Sequence, residues 1–253
     1  MSSLHTVRLV ALDAAYAVAG IGALLTGALT GRFAKTWDHV RRRVLDPIAE
    51  RTGDGRCLWV HGVSVGEVLA ARVLVQRWVR THPDRDVVVS SSTRLGLEAA
   101  QRAYPDSLVV SYPFDFSWRV RTAFQRLRPD IVVVVEHDLW PGFLAAAGAR
   151  KVPVVLANAR LSDRSCRRYC RLAPLVRWPP RSIARIATQD EASADRFRSL
   201  GFPVDQAVAT GNLNAIAGIR LKVNPAHILT VPILTAILIR IDILSIQNIC
   251  CAE

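Results

Sequence analysis

The stretch PDIVVVVEHDLWP, residues 129–141, decides the fold of this chain. It holds five consecutive apolar residues at 131–135, and all five are β-branched, as strands prefer. A run without polar alternation is typical of a strand that is buried on both faces of a parallel sheet. Pro141 stands where the first turn of a helix tolerates proline. The stretch therefore predicts a buried parallel strand that leads into a helix.

The same alternation of strand and helix continues on both sides of this stretch. Further strands are predicted at 58–61, 87–91, 108–111, 152–156, 183–188 and 204–210, and helices at 66–80, 95–103, 117–127 and 190–200. Strands that alternate with helices at this spacing predict an α/β fold with a Rossmann-like, doubly wound parallel sheet. Such sheets bind ligands at the carboxyl ends of their strands, so the loops that follow the strands are the place to look for chemistry.

Composition narrows the class of protein. The 253 residues are 51% hydrophobic, which excludes a disordered chain, and 33 Lys and Arg against 21 Asp and Glu give a net charge of +12. This excess points to an anionic partner: nucleic acid, an acidic membrane surface or a phosphorylated substrate. Nucleic acid is disfavoured because no aromatic stacking platform and no known nucleic-acid motif accompany the charges. The five cysteines form no CxxC pair, and no cluster with the spacing of metal ligands is predicted.

The N-terminus has the pattern of a membrane anchor. No charge occurs between Ala14 and Gly31, and the apolar run reaches back to Leu9 with Asp13 as its one interruption. About 20 apolar residues cross a bilayer, and basic residues that follow the run place the rest of the chain in the cytoplasm. We expect a single-pass anchor helix at 7–31 in the plasma membrane and a basic juxtamembrane linker at 32–54. An ordinary buried helix and a re-entrant or interfacial helix are the alternatives.

Polar residues with binding chemistry follow the predicted strands. Hydroxyls suit sugar or phosphate, and arginine suits phosphate or carboxylate. The candidate binding residues are His61, Ser64, Gly66, Ser91, Ser92, Thr93, Asn158, Arg160, Ser162 and Arg164. Glu67 lies three residues after Ser64, which is the spacing of a helix capping box, so a structural role and a chemical role both remain open for it. Glu136 ends a buried strand, where a carboxylate is costly without a partner or a task.

Six motifs, read in order, carry a resemblance to a known family. They are HGVSVGE (61–67), YPFD (112–115), EHDLWP (136–141), LANARLSDRS (156–165), TQDEASADRFRSLG (188–201) and TGNL (210–213). Over residues 55–213 the chain resembles the transferases of 3-deoxy-D-manno-octulosonic acid (Kdo) in lipopolysaccharide synthesis. His137, Asp138 and Gly142 depart from the family pattern.

The resemblance implies a GT-B architecture, in which residues 55–213 form the Rossmann-like domain that receives an anionic lipid A precursor. A second domain binds the donor, CMP-Kdo, and the reaction needs no metal. Glu67 corresponds to the family's general base, and Glu136 to a supporting carboxylate. Asn212, in the last motif, joins the binding residues. The inner-membrane lipids are the expected surroundings.

Composition changes abruptly after residue 213. Residues 214–253 contain ten isoleucines, against five in residues 1–213. We interpret residues 214–253 as an atypical Ile-rich tail in place of the donor domain, of the kind a frameshift produces, and so expect a truncated Kdo transferase. Two alternatives remain: a non-catalytic, membrane-anchored domain that binds lipid A precursor, or another GT-B sugar transferase.

Overall fold

A computed structural model describes residues 3–82, 85–136, 139–172 and 181–213. The Ile-rich tail at 214–253 therefore lies outside the described residues, and so do His137 and Asp138 of the EHDLWP motif.

Seven strands form one sheet in which every pairing is parallel. They are β1 (Cys57–His61), β2 (Asp86–Ser91), β3 (Leu108–Ser111), β4 (Ile131–Val135), β5 (Val154–Ala159), β6 (Ile183–Thr188) and β7 (Ala207–Ala209). Their spatial order is β3-β2-β1-β4-β5-β6-β7. The order reverses direction between β1 and β4, as in Rossmann folds. The predicted doubly wound parallel sheet is confirmed.

Nine helices are described along these ranges. They are α1 (Ser3–Leu29), α2 (Phe33–Val40), α3 (Val65–Ala70), α4 (Arg72–Thr81), α5 (Arg94–Ala103), α6 (Ser117–Leu127), α7 (Pro141–Ala149), α8 (Asp163–Leu172) and α9 (Glu191–Ser199). A π-helical turn, Arg41–Leu45, follows α2 directly. One described helix, over Leu9–Leu29, has the length and apolar composition that a membrane crossing requires.

The core lies on both faces of the sheet, which explains the unbroken apolar run that decides the fold. Every residue of β1 and β4 is buried. Trp59 packs with Phe124 and Phe143 on one face, while Val60 packs with Trp78 in a second cluster on the other. Because β4 contacts side chains on both sides, a polar residue at any of its five positions would be buried.

Several elements differ from the sequence expectation. β7 covers Ala207–Ala209 rather than 204–210, because residues 204–206 form a turn that the Gln206 N–H closes on the carbonyl oxygen of Pro203. β5 begins at Val154 rather than at 152, and Pro153 just before it has no N–H to give a sheet.

The helix expected at 66–80 divides into α3 and α4 at Ala71. Helical hydrogen bonds continue across that point, because the Ala71 N–H donates to the Glu67 carbonyl oxygen and the Ala71 carbonyl oxygen accepts the Val75 N–H. Residues 163–172, for which no element was predicted, form α8.

Candidate functional site

The loop between β1 and α3 holds the carboxylate of Glu67 in a fixed position. Oε2 accepts a hydrogen bond from the Val63 N–H at 2.8 Å, and Oε1 accepts one from the Ser64 hydroxyl at 2.8 Å. The Ser64 Oγ in turn accepts the Glu67 N–H at 3.3 Å and caps α3. The capping-box role left open by the sequence is therefore present. Two of the four lone-pair directions of the carboxylate are used inside the loop, and the group is half-buried.

The hydroxyls after β2 support that same loop. Ser91 Oγ and Thr93 Oγ1 both donate to the carbonyl oxygen of Val63, at 2.8 and 2.9 Å. Ser92 is buried, and its Oγ has no hydrogen-bond partner among the described residues. Thus two of the three predicted binding hydroxyls fix the backbone that carries Glu67, while Ser92 keeps an unused hydrogen-bonding group. A ligand role for Ser91, Ser92 and Thr93 stays a prediction.

His61 is enclosed rather than exposed at the end of β1. Its ring stacks on Tyr112 with centroids 3.6 Å apart and planes 17° from parallel. Nδ1 lies 3.1 Å from the Oγ of Ser90 and 3.2 Å from its carbonyl oxygen. Ser90 Oγ also accepts the indole N–H of Trp59 at 2.8 Å. These contacts show how His61 is held, and its predicted substrate contact stays a prediction.

Glu136 and Asn158 end neighbouring strands in the left-handed region of backbone conformation. Their φ angles are 68° and 58°, which cost an ordinary residue free energy and often mark functional sites. The Glu136 N–H donates to the carbonyl oxygen of Ala157 at 2.8 Å, so the two residues meet at the carboxyl edge of the sheet. Asn158 is buried; its Oδ1 accepts the Leu213 N–H at 2.9 Å, and its Nδ2 has no partner among the described residues.

The remaining predicted binding residues lie farther out on the same edge. Arg160 and Arg164 are exposed, the latter in the first turn of α8. Ser162 Oγ accepts the Ser165 N–H at 3.2 Å, so this hydroxyl supports the start of α8. Asn212 is exposed and directly precedes Leu213, which binds Asn158. The structure therefore brings Asn212 close to the end of β5 but gives it no resolved role.

Asp115 is a buried carboxylate that sequence reasoning missed, although it lies in the YPFD motif. Its oxygens accept the N–H groups of Gly142 at 2.8 Å and Phe143 at 2.6 Å, at the start of α7, and the Tyr16 hydroxyl at 3.0 Å. Burial raises the pKa of Asp115 to about 7, against the opposing effect of these hydrogen bonds. Because α7 follows the loop after Glu136, Asp115 joins the N-terminal helix to that part of the site.

Gly62 fits the site because no side chain could occupy its position. A Cβ there would lie 2.9 Å from the Val68 nitrogen, so only glycine lets β1 turn this closely onto α3.

In the described part of the chain, no three His, Cys, Asp or Glu side chains come together as a metal site would require.

A seven-stranded parallel sheet with a switch point between β1 and β4 and a polar carboxyl edge defines a Rossmann-type domain, a class in which ligands bind at that edge. The family model described as "3-Deoxy-D-manno-octulosonic-acid transferase (kdotransferase)" matches residues 35–216. The chain therefore belongs to the Kdo transferase family, and the resemblance of the six motifs is confirmed.

Individual relatives are similar over part of their length. The 3-deoxy-D-manno-octulosonic acid transferase of Chlamydia trachomatis serovar D is 31% identical over 77% of this chain and 45% of the relative. That of Haemophilus influenzae is 32% identical over 62% of this chain and 37% of the relative. The chain thus spans less than half the length of these curated relatives. Among solved structures, the UDP-GlcNAc 2-epimerase of Neisseria meningitidis aligns with a TM-score of 0.47 and 16% identity, over 65% of this chain and 49% of that one.

Proposed function

We propose that this domain is the acceptor side of a glycosyltransferase that moves Kdo from CMP-Kdo to a lipid A precursor. One observation carries the proposal: the Glu67 carboxylate is held by two hydrogen bonds at the switch-point loop, inside the residues that match the family. A fixed, half-buried carboxylate with free lone pairs suits a general base.

The proposed step is a substitution at the anomeric carbon of Kdo. The 6′-hydroxyl of the glucosamine disaccharide forms the new C–O bond, and the bond from that carbon to the phosphate oxygen of CMP breaks. Glu67 accepts the hydroxyl proton as attack proceeds, and CMP leaves with the bonding electron pair. The Val63 N–H and the Ser64 hydroxyl keep the carboxylate aimed, so little reorganisation is needed at the moment of transfer.

Other residues on the carboxyl edge complete the proposed acceptor site. Glu136 supports the base or orients the acceptor from the end of β4. The unpartnered Ser92 Oγ and Asn158 Nδ2 offer hydrogen bonds to sugar hydroxyls. Arg160 and Arg164 are exposed cations suited to the phosphates of an anionic precursor.

We place the domain on the cytoplasmic face of the inner membrane, with α1 as the anchor in its lipids. The length and apolar composition of α1 support the anchor. The basic residues after it suit the anionic lipids of the cytoplasmic leaflet, and a lipid acceptor supports a membrane location.

The test separates binding from transfer. Purified chain in non-ionic detergent is titrated with lipid A precursor. Kdo transfer from CMP-Kdo is followed by mass spectrometry in a fusion that joins residues 1–213 to the donor domain of a full-length relative. Glu67→Gln should leave the dissociation constant within about threefold and lower transfer by about 10² or more, as loss of a general base does. Glu98→Gln on α5, a carboxylate paired with Arg94, is the matched control.

Each outcome has a distinct meaning. Full transfer by Glu67→Gln contradicts the base assignment. Tight precursor binding by the chain, with no transfer by the fusion, favours the non-catalytic binding domain. Binding no tighter than that of a phospholipid of equal charge contradicts the proposed acceptor.

A further inference from the structure

One stripe of α1 is docked on the Rossmann-like domain by polar contacts. Asp13 Oδ1 accepts the Ser117 N–H at 2.8 Å, and its Oδ2 accepts the Ser117 hydroxyl at 2.6 Å, so Asp13 caps the first turn of α6. One helical turn later, the Tyr16 hydroxyl donates to Asp115 at 3.0 Å. The Tyr16 ring meets Phe114 edge to face, with centroids 5.8 Å apart. Asp13, the one charge that interrupts the apolar run, therefore binds α1 to the Rossmann-like domain.

The opposite face of α1 is apolar and exposed. The exposed fraction is 71% at Val18, 61% at Leu25 and 89% at Leu29. The chain then turns at Gly31, whose φ is +68°, and α2 folds back so closely that a Cβ at Gly27 would lie 3.0 Å from Thr36 Oγ1. α2 therefore packs closely against the end of α1.

α2 carries a pair of stacked rings, Phe33 and Trp37, with centroids 6.4 Å apart and planes 2° from parallel. Both rings are more than a third exposed. Arg32 and Lys35 flank them and are exposed too. Arg43, in contrast, is buried, with its guanidinium 4.9 Å from the ring centroid of Phe114. An apolar face with aromatic residues and a basic border fits the boundary between headgroups and acyl chains of an anionic bilayer.

The docked stripe leaves too little helix to cross that bilayer. Beyond Tyr16, α1 continues only to Leu29, which is 13 residues or about 20 Å of helix. The hydrocarbon core is about 30 Å thick. A crossing helix would therefore carry Asp13, and the polar start of α6 bound to it, into the acyl chains, where unsatisfied polar groups are costly.

We propose that α1 does not cross the membrane but lies along its surface. Asp13 and Tyr16 hold its inner stripe on the domain, while its outer face and the Phe33–Trp37 pair enter an anionic bilayer. Both ends of α1 then lie on the same side of the membrane as the domain. This placement stands independently of the transfer reaction.

The position of the N-terminus tests the proposal. Ser3→Cys is expressed in the full chain, and spheroplasts are treated with a membrane-impermeant maleimide before and after permeabilisation. Mass spectrometry of the tryptic peptide 1–8 reports that cysteine alone, and Cys170, which is exposed, reports the side on which the domain lies. We expect the peptide to be labelled only after permeabilisation, together with the domain. Labelling of the peptide in intact spheroplasts, with the domain protected, overturns the proposal.

A second arm tests what holds the helix flat. In the same Ser3→Cys background, Asp13→Ala combined with Tyr16→Phe frees α1 and makes its apolar run continuous. We expect labelling of peptide 1–8 in intact spheroplasts to rise at least fivefold. Thr30→Val is the control, since that hydroxyl donates only within α1, to the carbonyl oxygens of Thr26 and Gly27. Unchanged protection in the double variant overturns the role given to the two contacts.

A second copy of the chain is the rival occupant of the exposed face. Leu25→Cys places a thiol on this face, and mild oxidation of membranes would link two copies that meet there. We expect monomers in phosphatidylglycerol-containing vesicles. A disulfide-linked dimer at high yield would assign the face to a chain–chain interface and overturn the proposal.

Discussion

The buried carboxylate of Asp115 should make the stability of this domain depend on pH in a predictable direction. Burial raises its pKa from the ordinary 3.8 to about 7 in the folded chain, so the folded state holds this proton more tightly than the unfolded state does. The stability that Asp115 contributes is therefore fully present below pH 3.8 and is lost as pH rises through 7. Asp115→Asn keeps the shape of the side chain but removes the titration.

The size of the effect follows from the linkage relation. Each unit of pH at which only the folded state is protonated changes the free energy of unfolding by about 1.4 kcal/mol. Between pH 5 and pH 7 this amounts to about 3 kcal/mol. We therefore expect the Asp115→Asn variant to gain about 3 kcal/mol relative to the unchanged chain as pH rises from 5 to 8.

Urea unfolding at fixed non-ionic detergent concentration, followed by tryptophan fluorescence, measures this difference at each pH. The other titrating groups are common to both proteins and cancel in the difference. Asp54→Asn, which removes an exposed carboxylate, is the control. A stability difference between Asp115→Asn and the unchanged chain that stays constant within about 0.5 kcal/mol from pH 5 to 8 would refute the reasoning.

Two further predictions concern the carboxyl edge and are measured by the same unfolding assay. Gly62→Ala should lower the free energy of unfolding by about 1–3 kcal/mol, because the new Cβ would overlap the Val68 nitrogen. Gly66→Ala, where the nearest atom to the new Cβ is 3.8 Å away, should leave the free energy of unfolding unchanged. Equal losses in the two variants would contradict the steric argument. Asn158→Ala should lower the free energy of unfolding by about 2 kcal/mol, because it leaves the Leu213 N–H unsatisfied and puts alanine in a left-handed backbone conformation. Asn158→Gly should cost about 1 kcal/mol less than Asn158→Ala, because glycine adopts that conformation without strain. A larger loss for glycine would show that backbone strain is unimportant there.

The fold was predictable because the strands of a parallel sheet are buried on both faces and therefore appear in the sequence as continuous apolar runs. β4 is an unbroken apolar run, and α6 falls at the predicted 117–127. α8 escaped prediction because its polar residues, with four arginines in ten positions, obscure the apolar side that Cys166 and Tyr169 present to the core. Length and local pattern cannot reveal an element whose apolar stripe is this narrow.

The candidate site was predictable by position but not by contact. The carboxyl-edge rule anticipates where these residues lie: Ser91 ends β2, Glu136 directly follows β4, and Glu67 lies in the first turn of α3. Nothing in the sequence indicated that Ser91 and Thr93 would share the Val63 carbonyl. Such contacts depend on loops that meet only after the sheet has formed. The contact of Asp13 was also unpredictable. In the sequence Asp13 only interrupts the apolar run of the predicted anchor, whereas in the structure it caps α6.

The docking of α1 also sets an order of events during synthesis. Tyr16 and Asp115 are 99 residues apart, and ribosomes add roughly 5–20 residues per second, so about 5–20 s pass between the helix and its dock. Throughout that interval the apolar helix has no protein surface to cover it. On the proposed placement, α1 meets lipid while the domain is still being made. The nascent sheet then folds against a helix already lying on the bilayer, so its carboxyl edge takes its angle to the membrane as folding ends.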